Sequence, residues 1–254
     1  MNFDIQVMLP GKNAEEDQQL IQAIVRLNDV TEYSVVNDLY ANAWIDEELI
    51  AKELRDEDHT SSIKNGKYPY YIDIHALDQK SLKDYAREAG ADYDQLIIAD
   101  ELSAIVIDTI SYQDYEARKF VETKAIEAEI GKSIELYHID PETEEETYLN
   151  QLQIAALTEE SPMGVSSTGL GGLTVIVSDQ VMGKLAGKGI SADTRIVLKS
   201  ADPLATQQQI EEMQVSRLHI FNAYQLRQQN EQSTISIYLW LYCADCGNFS
   251  GQYF

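Results

Sequence analysis

The residues of this 254-residue chain best suited to redox or metal chemistry are two cysteines near its end. Cys243 and Cys246 form a C-x-x-C motif, and residues 1–242 contain no cysteine. A redox C-x-x-C opens a helix in a thioredoxin-like β-α-β unit, and a zinc site needs a second pair of ligands. The sequence around these cysteines predicts neither context, so a thiol or zinc protein is the least favoured function.

Histidines beside carboxylates are the next candidates for metal binding. The chain has four widely spaced histidines: His59, His75, His138 and His219. His75 and His138 lie in strand-like runs close to Asp73 and Asp140, where a folded chain could hold a metal ion or form solvated pairs. The sequence has no G-x-S-x-G, H-E-x-x-H or EF-hand motif. We therefore predict no catalytic residue, no cofactor-binding residue and no metal ligand, and the chain is not expected to be an enzyme.

Two glycine-containing segments match nucleotide-binding loops only in part. Residues 131–133 (GKS) match the end of a P-loop, but Ile126 stands where its first glycine belongs, and a strand is predicted to follow. Residues 169–172 (GLGG) lack the G-x-G-x-x-G spacing and precede a strand rather than a helix. We predict an ordinary turn at the first segment and a mobile loop at the second.

Acidic residues dominate the composition. The chain has 19 Lys+Arg against 43 Asp+Glu, which gives a formal net charge of −24. This charge argues against nucleic acid and anionic membrane surfaces as partners, and it permits basic peptides. The densest acidic run, residues 142–146, is predicted to be a solvated hairpin tip, because its spacing does not match a calcium loop.

Hydrophobic patterns predict a β-α-β unit at each end of the chain. The first comprises a strand over residues 3–9, a helix capped by Asn13 and a strand over residues 30–43. The second comprises a strand over 194–199, a helix beginning at Asp202-Pro203 and a strand over 217–224. Two such units can pair into one split, ferredoxin-like sheet.

The middle of the chain is richer in strand patterns. Strands are predicted over residues 69–76, 104–108, 132–140, 147–158 and 173–177, with helices over 78–90 and 178–186 and a flexible connection over 161–172. The predicted fold class is therefore α+β. A split β-α-β (porter or ferredoxin-like) subdomain, residues 1–54 plus 194–232, holds an inserted β-rich subdomain, residues 55–193. The alternative is a single irregular α+β domain.

The last 22 residues differ from the rest of the chain. Residues 233–254 hold both cysteines, six aromatic residues and one charge. A set of codons compatible with residues 237–254, read one base later, encodes YIYGFIVLIVATFQANIF, an apolar segment typical of a membrane span. Part of this result does not depend on codon choice: the shifted codon at Trp240 must encode Gly, and those at Cys243 and Cys246 encode only Val or Ala. We interpret 233–254 as a transmembrane segment read out of frame.

With the glutamine-rich stretch before it, this shifted segment resembles the helix that follows the extracellular domain of FtsX-like (MacB-type) ABC transporter permeases of Gram-positive bacteria. The unshifted residues that carry the resemblance are Leu226, Gln228, Gln229, Asn230, Glu231 and Gln232. Residues 131–136 (GKSIEL) resemble the G-D-x-I-x-L turn and strand of the family, with Lys in place of Asp. Residues 173–177 (LTVIV) resemble its I-I-V-P strand without the proline, and the layout of residues 1–232 is similar to a porter-like unit with an inserted β domain.

The resemblance implies that the chain is the extracellular, MacB-like periplasmic core domain of a permease, truncated or frameshifted at the following transmembrane helix. Such a domain relays ATP-driven motion in export, lipoprotein or lipid extraction, or antimicrobial-peptide resistance. Its implied partners are the remainder of the permease and a cytosolic ATP-binding subunit, and basic peptides or lipoproteins are further candidates. The domain is expected to need no cofactor and to lie on the extracellular side of the cell membrane. The alternatives are a free-standing acidic soluble binding module and, behind it, the C-x-x-C protein.

Overall fold

The structure, a computed structural model, describes residues 2–11, 13–55, 63–98, 100–115, 117–140, 142–187 and 190–232. It is an α+β fold dominated by one large sheet, and the predicted fold class is confirmed. In chain order the elements are β1 (Ile5–Met8), α1 (Ala14–Val25), β2 (Val30–Asp46), α2 (Lys52–Arg55), β3 (Lys67–Leu77), α3 (Gln79–Glu88), α4 (Tyr93–Leu96), β4 (Ser103–Ile107), β5 (Thr109–Asp114), β6 (Lys119–Lys124), β7 (Ser133–Ile139), β8 (Glu146–Thr158), β9 (Gly172–Val177), α5 (Asp179–Leu185), β10 (Asp193–Ser200), α6 (Pro203–Glu212) and β11 (Ile220–Asn222).

The two terminal β-α-β units interleave into one antiparallel sheet. Its strand order is β11-β1-β10-β2, so each strand of one unit lies beside a strand of the other. Helices α1 and α6 cover one face, where Ile5, Ile24, Ile196 and Ile210 are fully buried. Burying such apolar side chains is the main favourable term that holds the helices on the sheet. This arrangement is the split β-α-β unit that the sequence predicts.

Strand β2 connects this sheet to the inserted region. Its first part pairs with β10, and its second part, from Val36 to Asp46, pairs with β3. From β2 the sheet continues in the order β3-β9-β4-β8-β7, and the pair Asn42–Tyr137 brings β7 back to β2. These six strands therefore form a closed ring around a continuous apolar core that includes Ile72, Leu136 and Val175. Because β2 belongs to both parts, the predicted domain boundaries at 54/55 and 193/194 remain a prediction.

Local capping explains where the helices begin. The side chain of Asn13 accepts the backbone N–H of Glu15, and that of Asp202 accepts the N–H of Ala205. Asp78, one of two predicted caps for α3, accepts the N–H groups of residues 80 and 81. An N-cap of this kind satisfies donors that the first helical turn leaves unpaired. The predicted helix starts are thus confirmed.

The strand predicted over residues 217–224 is shorter than expected. Residues 217–219 form a 3-10 turn, β11 covers three residues, and residues 223–232 are helical. The side chain of Asn222 accepts the N–H of Gln225 at 2.8 Å, which starts the following helix and so ends the strand. None of the helices in the described ranges has the length and apolarity needed to cross a membrane. The predicted out-of-frame span, 233–254, lies outside those ranges.

Candidate functional site

The face of the split sheet opposite α1 and α6 carries an open cavity of about 470 Å³. Side chains alternate between the two faces of a strand, so Asp38 and Tyr40 of β2 face this cavity while Leu39 enters the core. Residues directly opposite on neighbouring strands share a face, and the register pairs Asp38 with His75 and Tyr40 with Asp73. The fold therefore brings polar and titratable groups from β2 and β3 together in one cavity.

A buried charged cluster of Asp38, His75 and Arg195 forms one wall of the cavity. His75 Nδ1 lies 2.6 Å from Asp38 Oδ1, and Arg195 donates from Nε and Nη2 to the two Asp38 oxygens at 2.5 and 3.1 Å. Arg195 also donates from Nη1 to the backbone carbonyl of Gly164 at 2.7 Å. At most 10% of each of these three side chains is exposed. The cluster thus joins β2, β3, β10 and the loop before β9.

The cluster keeps Asp38 ionised. Burial by itself would raise the pKa of the Asp38 carboxyl, but hydrogen bonds from His75 and Arg195 and the charge of Arg195 outweigh it and hold the pKa below its ordinary value of 3.8. A two-pronged guanidinium–carboxylate contact is the strongest ion-pair geometry available to side chains. The positive charge of Arg195 is therefore engaged within the cluster.

Asp73, in contrast to Asp38, has a pKa that is raised above its ordinary value. The sequence places His75 beside Asp73, but in the folded chain the histidine ring pairs with Asp38. Within the described residues, nothing donates a hydrogen bond to the enclosed Asp73 Oδ1. Burial raises the pKa of Asp73; the charge of His75 works against this effect and that of Asp38 adds to it. A carboxylate in this position destabilises the folded domain while it stays ionised and unpaired.

We expect Asp73→Asn to stabilise the domain at neutral pH. The folded-state pKa of Asp73 is raised, so the folded state binds more protons than the unfolded state above pH 3.8, and stability falls as pH rises through this range. Replacing the carboxylate removes this loss and should raise the free energy of unfolding at pH 7 by about 0.5 to 1 kcal/mol, given the screening of a partly exposed group. Urea denaturation at pH 7 and pH 3 measures the difference.

The gain from Asp73→Asn should shrink at pH 3, where the wild-type carboxyl is protonated. Asp46→Asn is the control: Asp46 lies on the same sheet, is 57% exposed and pairs with Lys67 at 3.6 Å, a surface pair whose loss should leave stability nearly unchanged at both pH values. An Asp73 variant that is less stable at pH 7 than the wild type would contradict the assignment of Asp73 as an unpaired carboxylate.

The loop before β9 contacts the sheet through its glycines, and the expected flexibility of residues 161–172 remains a prediction. Gly169 donates its N–H to the Tyr71 hydroxyl, and the N–H of Tyr71 donates to Gly171. Gly172 packs so closely that an added Cβ would lie 2.3 Å from the Tyr71 ring. The glycines therefore permit close contact with a strand, a use that the sequence pattern does not distinguish from flexibility.

The other candidate sites take structural roles. At residues 131–133, Gly131 has φ +88° in a turn and Ser133 begins β7, so the predicted ordinary turn is confirmed. Asp140 accepts the N–H groups of residues 142 and 143 at 2.8 Å, which fixes the acidic turn after β7. Backbone hydrogen bonds from Thr143 and Glu142 lower the Asp140 pKa.

The expectation that the chain has no metal site remains a prediction. His59, Cys243 and Cys246 lie outside the described residues. His138 lies on β7 and His219 in the 3-10 turn before β11. Across the described ranges, no group of three or more His, Cys, Asp or Glu side chains is arranged to hold a metal ion.

Sequence reasoning missed Asp38 and Arg195. Arg195 precedes Ile196 and two further apolar residues, all three of which are fully buried. A charged residue within such an apolar strand is the only sequence signal for Arg195. Asp38 similarly interrupts the apolar alternation of β2. A charge at such a position requires a partner, but the sequence does not say which one.

No protein-family model matches the sequence. No curated protein matches it either. Among solved structures, the chain is similar to the periplasmic region of MacB from Actinobacillus actinomycetemcomitans, at 10% sequence identity and a TM-score of 0.42. The alignment covers 91% of this chain and 93% of that chain.

Proposed function

We propose that residues 2–232 are the extracellular domain of an FtsX-like ABC transporter permease, which is not an enzyme and relays ATP-driven motion across the membrane. The observation that carries the proposal is that the first and last described segments lie side by side. A domain placed between two consecutive membrane helices must be entered and left on the same side, so its first and last segments are expected to lie close together. Its direct partners are then the remainder of the permease and, through it, a cytosolic ATP-binding subunit.

The two segments are joined by specific contacts. Arg227 donates from Nη2 to Asp4 Oδ1 at 2.5 Å and from Nη1 to the carbonyl of Phe3 at 2.7 Å. The N–H of Tyr224 donates to the carbonyl of Asp4, and β1 pairs with β11 beside these contacts. A force applied through the helical segment 223–232 would therefore act on β1 as well.

The shared strand gives such a force a path into the inserted region. β2 has 17 residues, which at about 3.3 Å per residue spans about 55 Å. Its first part lies in the split sheet and its second part in the closed ring. A displacement of the split sheet would therefore be carried to the ring by one continuous strand. This motion would drive export, the extraction of lipoproteins or lipids, or the removal of antimicrobial peptides that gives resistance to them.

Composition supports the assignment of residues 233–254 to a frameshifted membrane helix. These residues hold both cysteines and one of the 43 acidic residues, so the preceding 232 residues are strongly acidic and free of cysteine. A large acidic domain is compatible with the outside of the cell, where no excess of Lys and Arg is required. The DNA beyond codon 236 should therefore encode, one base out of frame, an apolar helix followed by a basic cytosolic loop.

A labelling experiment tests the location of the domain. With the alternative frame restored, the two tail cysteines disappear, and Leu218→Cys places the only thiol of residues 1–254 at a side chain that is 93% exposed. We expect a membrane-impermeant maleimide to label this thiol in intact cells, and the protein to sediment with membranes. The frame-restored chain without Leu218→Cys is the control and should remain unlabelled.

Labelling that requires cell lysis, or DNA without the apolar frame, would overturn the proposal. In that case the free-standing acidic binding module becomes the favoured function, because the cavity on the split sheet does not depend on a membrane anchor.

A further inference from the structure

We propose that the cavity on the open face of the split sheet binds a primary ammonium group on an aliphatic stem, held by the Asp73 carboxylate and the ring of Tyr40. Such a group is found in free polyamines and in lysine side chains. The inference rests on the geometry of the cavity and holds whether or not the chain belongs to a permease.

The charges lining the cavity do not balance. Asp38 is compensated by Arg195, whose guanidinium makes two contacts to it and a third to a backbone carbonyl. Asp73 and Asp193 also line the cavity, and within the described part of the chain neither has an ion-pair partner. The cavity therefore attracts a cation, and Arg195 is not available to an anion.

The unpartnered carboxylate of Asp73 indicates where the cation would bind. Asp73 lines the cavity, and no described residue donates a hydrogen bond to its carboxylate; Oδ1 is enclosed, so Oδ2 is the oxygen that a ligand can reach. An ammonium donor at Oδ2 would form a charge-assisted hydrogen bond and stabilise the ionised carboxylate. An unpaired carboxylate that lines a cavity is a candidate ligand-binding group.

An aromatic side chain stands beside this carboxylate. Tyr40 lies directly opposite Asp73 across the β2–β3 pair and is 63% exposed, so its ring is open to a ligand. Phe221, 40% exposed, forms part of the same cavity and packs against Phe3 with ring centroids 6.3 Å apart. An ammonium group within about 6 Å of an aromatic face is attracted by its quadrupole. Aromatic surface next to a carboxylate suits an alkylammonium better than a bare ion.

A metal ion does not fit the same donors. Metal sites need three or more converging ligands, and the described residues contain no such group of His, Cys, Asp and Glu. His75 is engaged by Asp38, which occupies its Nδ1. One unpaired carboxylate with aromatic surface matches the single charge and the apolar stem of an alkylamine.

Isothermal titration calorimetry of the full chain at low ionic strength tests the proposal with two probes, cadaverine and Nα-acetyl-lysine amide. We expect the wild type to bind at least one of them in the millimolar range or tighter. Asp73→Asn should weaken this binding about tenfold or more, the effect of losing one charge-assisted hydrogen bond. Tyr40→Ala should weaken it about two- to fivefold, the size of an exposed cation–π contact.

Asp46→Asn is the matched control, because it removes the same charge from β2 outside the cavity. It should change the affinity by less than about twofold, since a distant exposed charge contributes only through screened attraction. Thermal unfolding of each free variant verifies that it folds. Tighter binding of cadaverine would identify free polyamines as the source of the ligand, and tighter binding of the lysine derivative would identify a peptide side chain.

Two results would overturn the proposal. One is that the wild type binds neither amine up to about 10 mM at low salt. The other is that Asp73→Asn and Asp46→Asn weaken binding equally, which would mean that the amines respond only to the net charge of −24.

Discussion

Arg195→Met is expected to lower the free energy of unfolding by about 3 to 5 kcal/mol, the usual cost of removing one partner of a buried ion pair. The Asp38 side chain, 10% exposed, would keep its charge but lose the two hydrogen bonds from the guanidinium. The carbonyl of Gly164 would lose its donor as well. Methionine has a similar apolar stem, so the loss reports on charge and hydrogen bonding rather than on volume. Urea denaturation at pH 7 measures it.

Arg217→Met provides the comparison. Arg217 pairs with Glu211 at 2.8 Å, but its side chain is 81% exposed, so its loss should cost no more than about 0.5 kcal/mol. Equal effects of the two substitutions would show that the Arg195 cluster adds no more to stability than a surface pair.

The pH dependence of this effect has a definite sign. Because the folded-state pKa of Asp38 lies below its ordinary value of 3.8, its contribution is fully present above that value and is lost as pH falls through the folded pKa. The difference between the wild type and Arg195→Met should therefore narrow in acid below about pH 3.8.

Much of the split β-α-β unit could be predicted because its signals are local. Asn13 and Asp202-Pro203 mark helix starts within a few residues of the strands they follow, and these caps are formed. The pairing of the two units also follows from topology, since a β-α-β unit can accept another between its strands. The helix caps and the way β-α-β units pair were therefore sufficient to predict this part of the fold.

The charged cluster could not be predicted in the same way. Asp38 and Arg195 are separated by 157 positions, and Asp38 and His75 by 37, so no local pattern links them. The contact depends on the register of three strands, and a shift of one residue would turn every side chain to the opposite face. The sequence therefore indicated His75 but paired it with Asp73, its neighbour along the chain.

Ring closure and one hairpin were missed for a related reason. The ring closes through the single pair Asn42–Tyr137, a contact between a strand of the first unit and one in the middle of the chain. Strands β5 and β6 form a separate two-stranded sheet, and in β6, where Phe120 is 81% exposed, the pattern lacks the buried alternation that identifies a strand.

Gly164→Ala should lower the free energy of unfolding by about 2 to 4 kcal/mol. Gly164 has φ +81°, which an L-residue adopts at a cost of about 1 kcal/mol or more. An added Cβ would lie 2.6 Å from a methyl carbon of the fully buried Val197, and such overpacking adds about 1 to 3 kcal/mol. Urea denaturation measures the loss, and the carbonyl that accepts from Arg195 would be displaced with the loop.

Gly171→Ala separates the two causes. Gly171 has φ +72° in the same loop, but no atom lies within 4 Å of the position its Cβ would take. Its substitution should therefore cost only the backbone share, about 1 kcal/mol. If both variants lose the same stability, Val197 moves away from the added methyl group at no cost in free energy. The loop is then not held against the sheet by close packing. A larger loss at Gly164 would show that this packing holds the wall of the cavity in place.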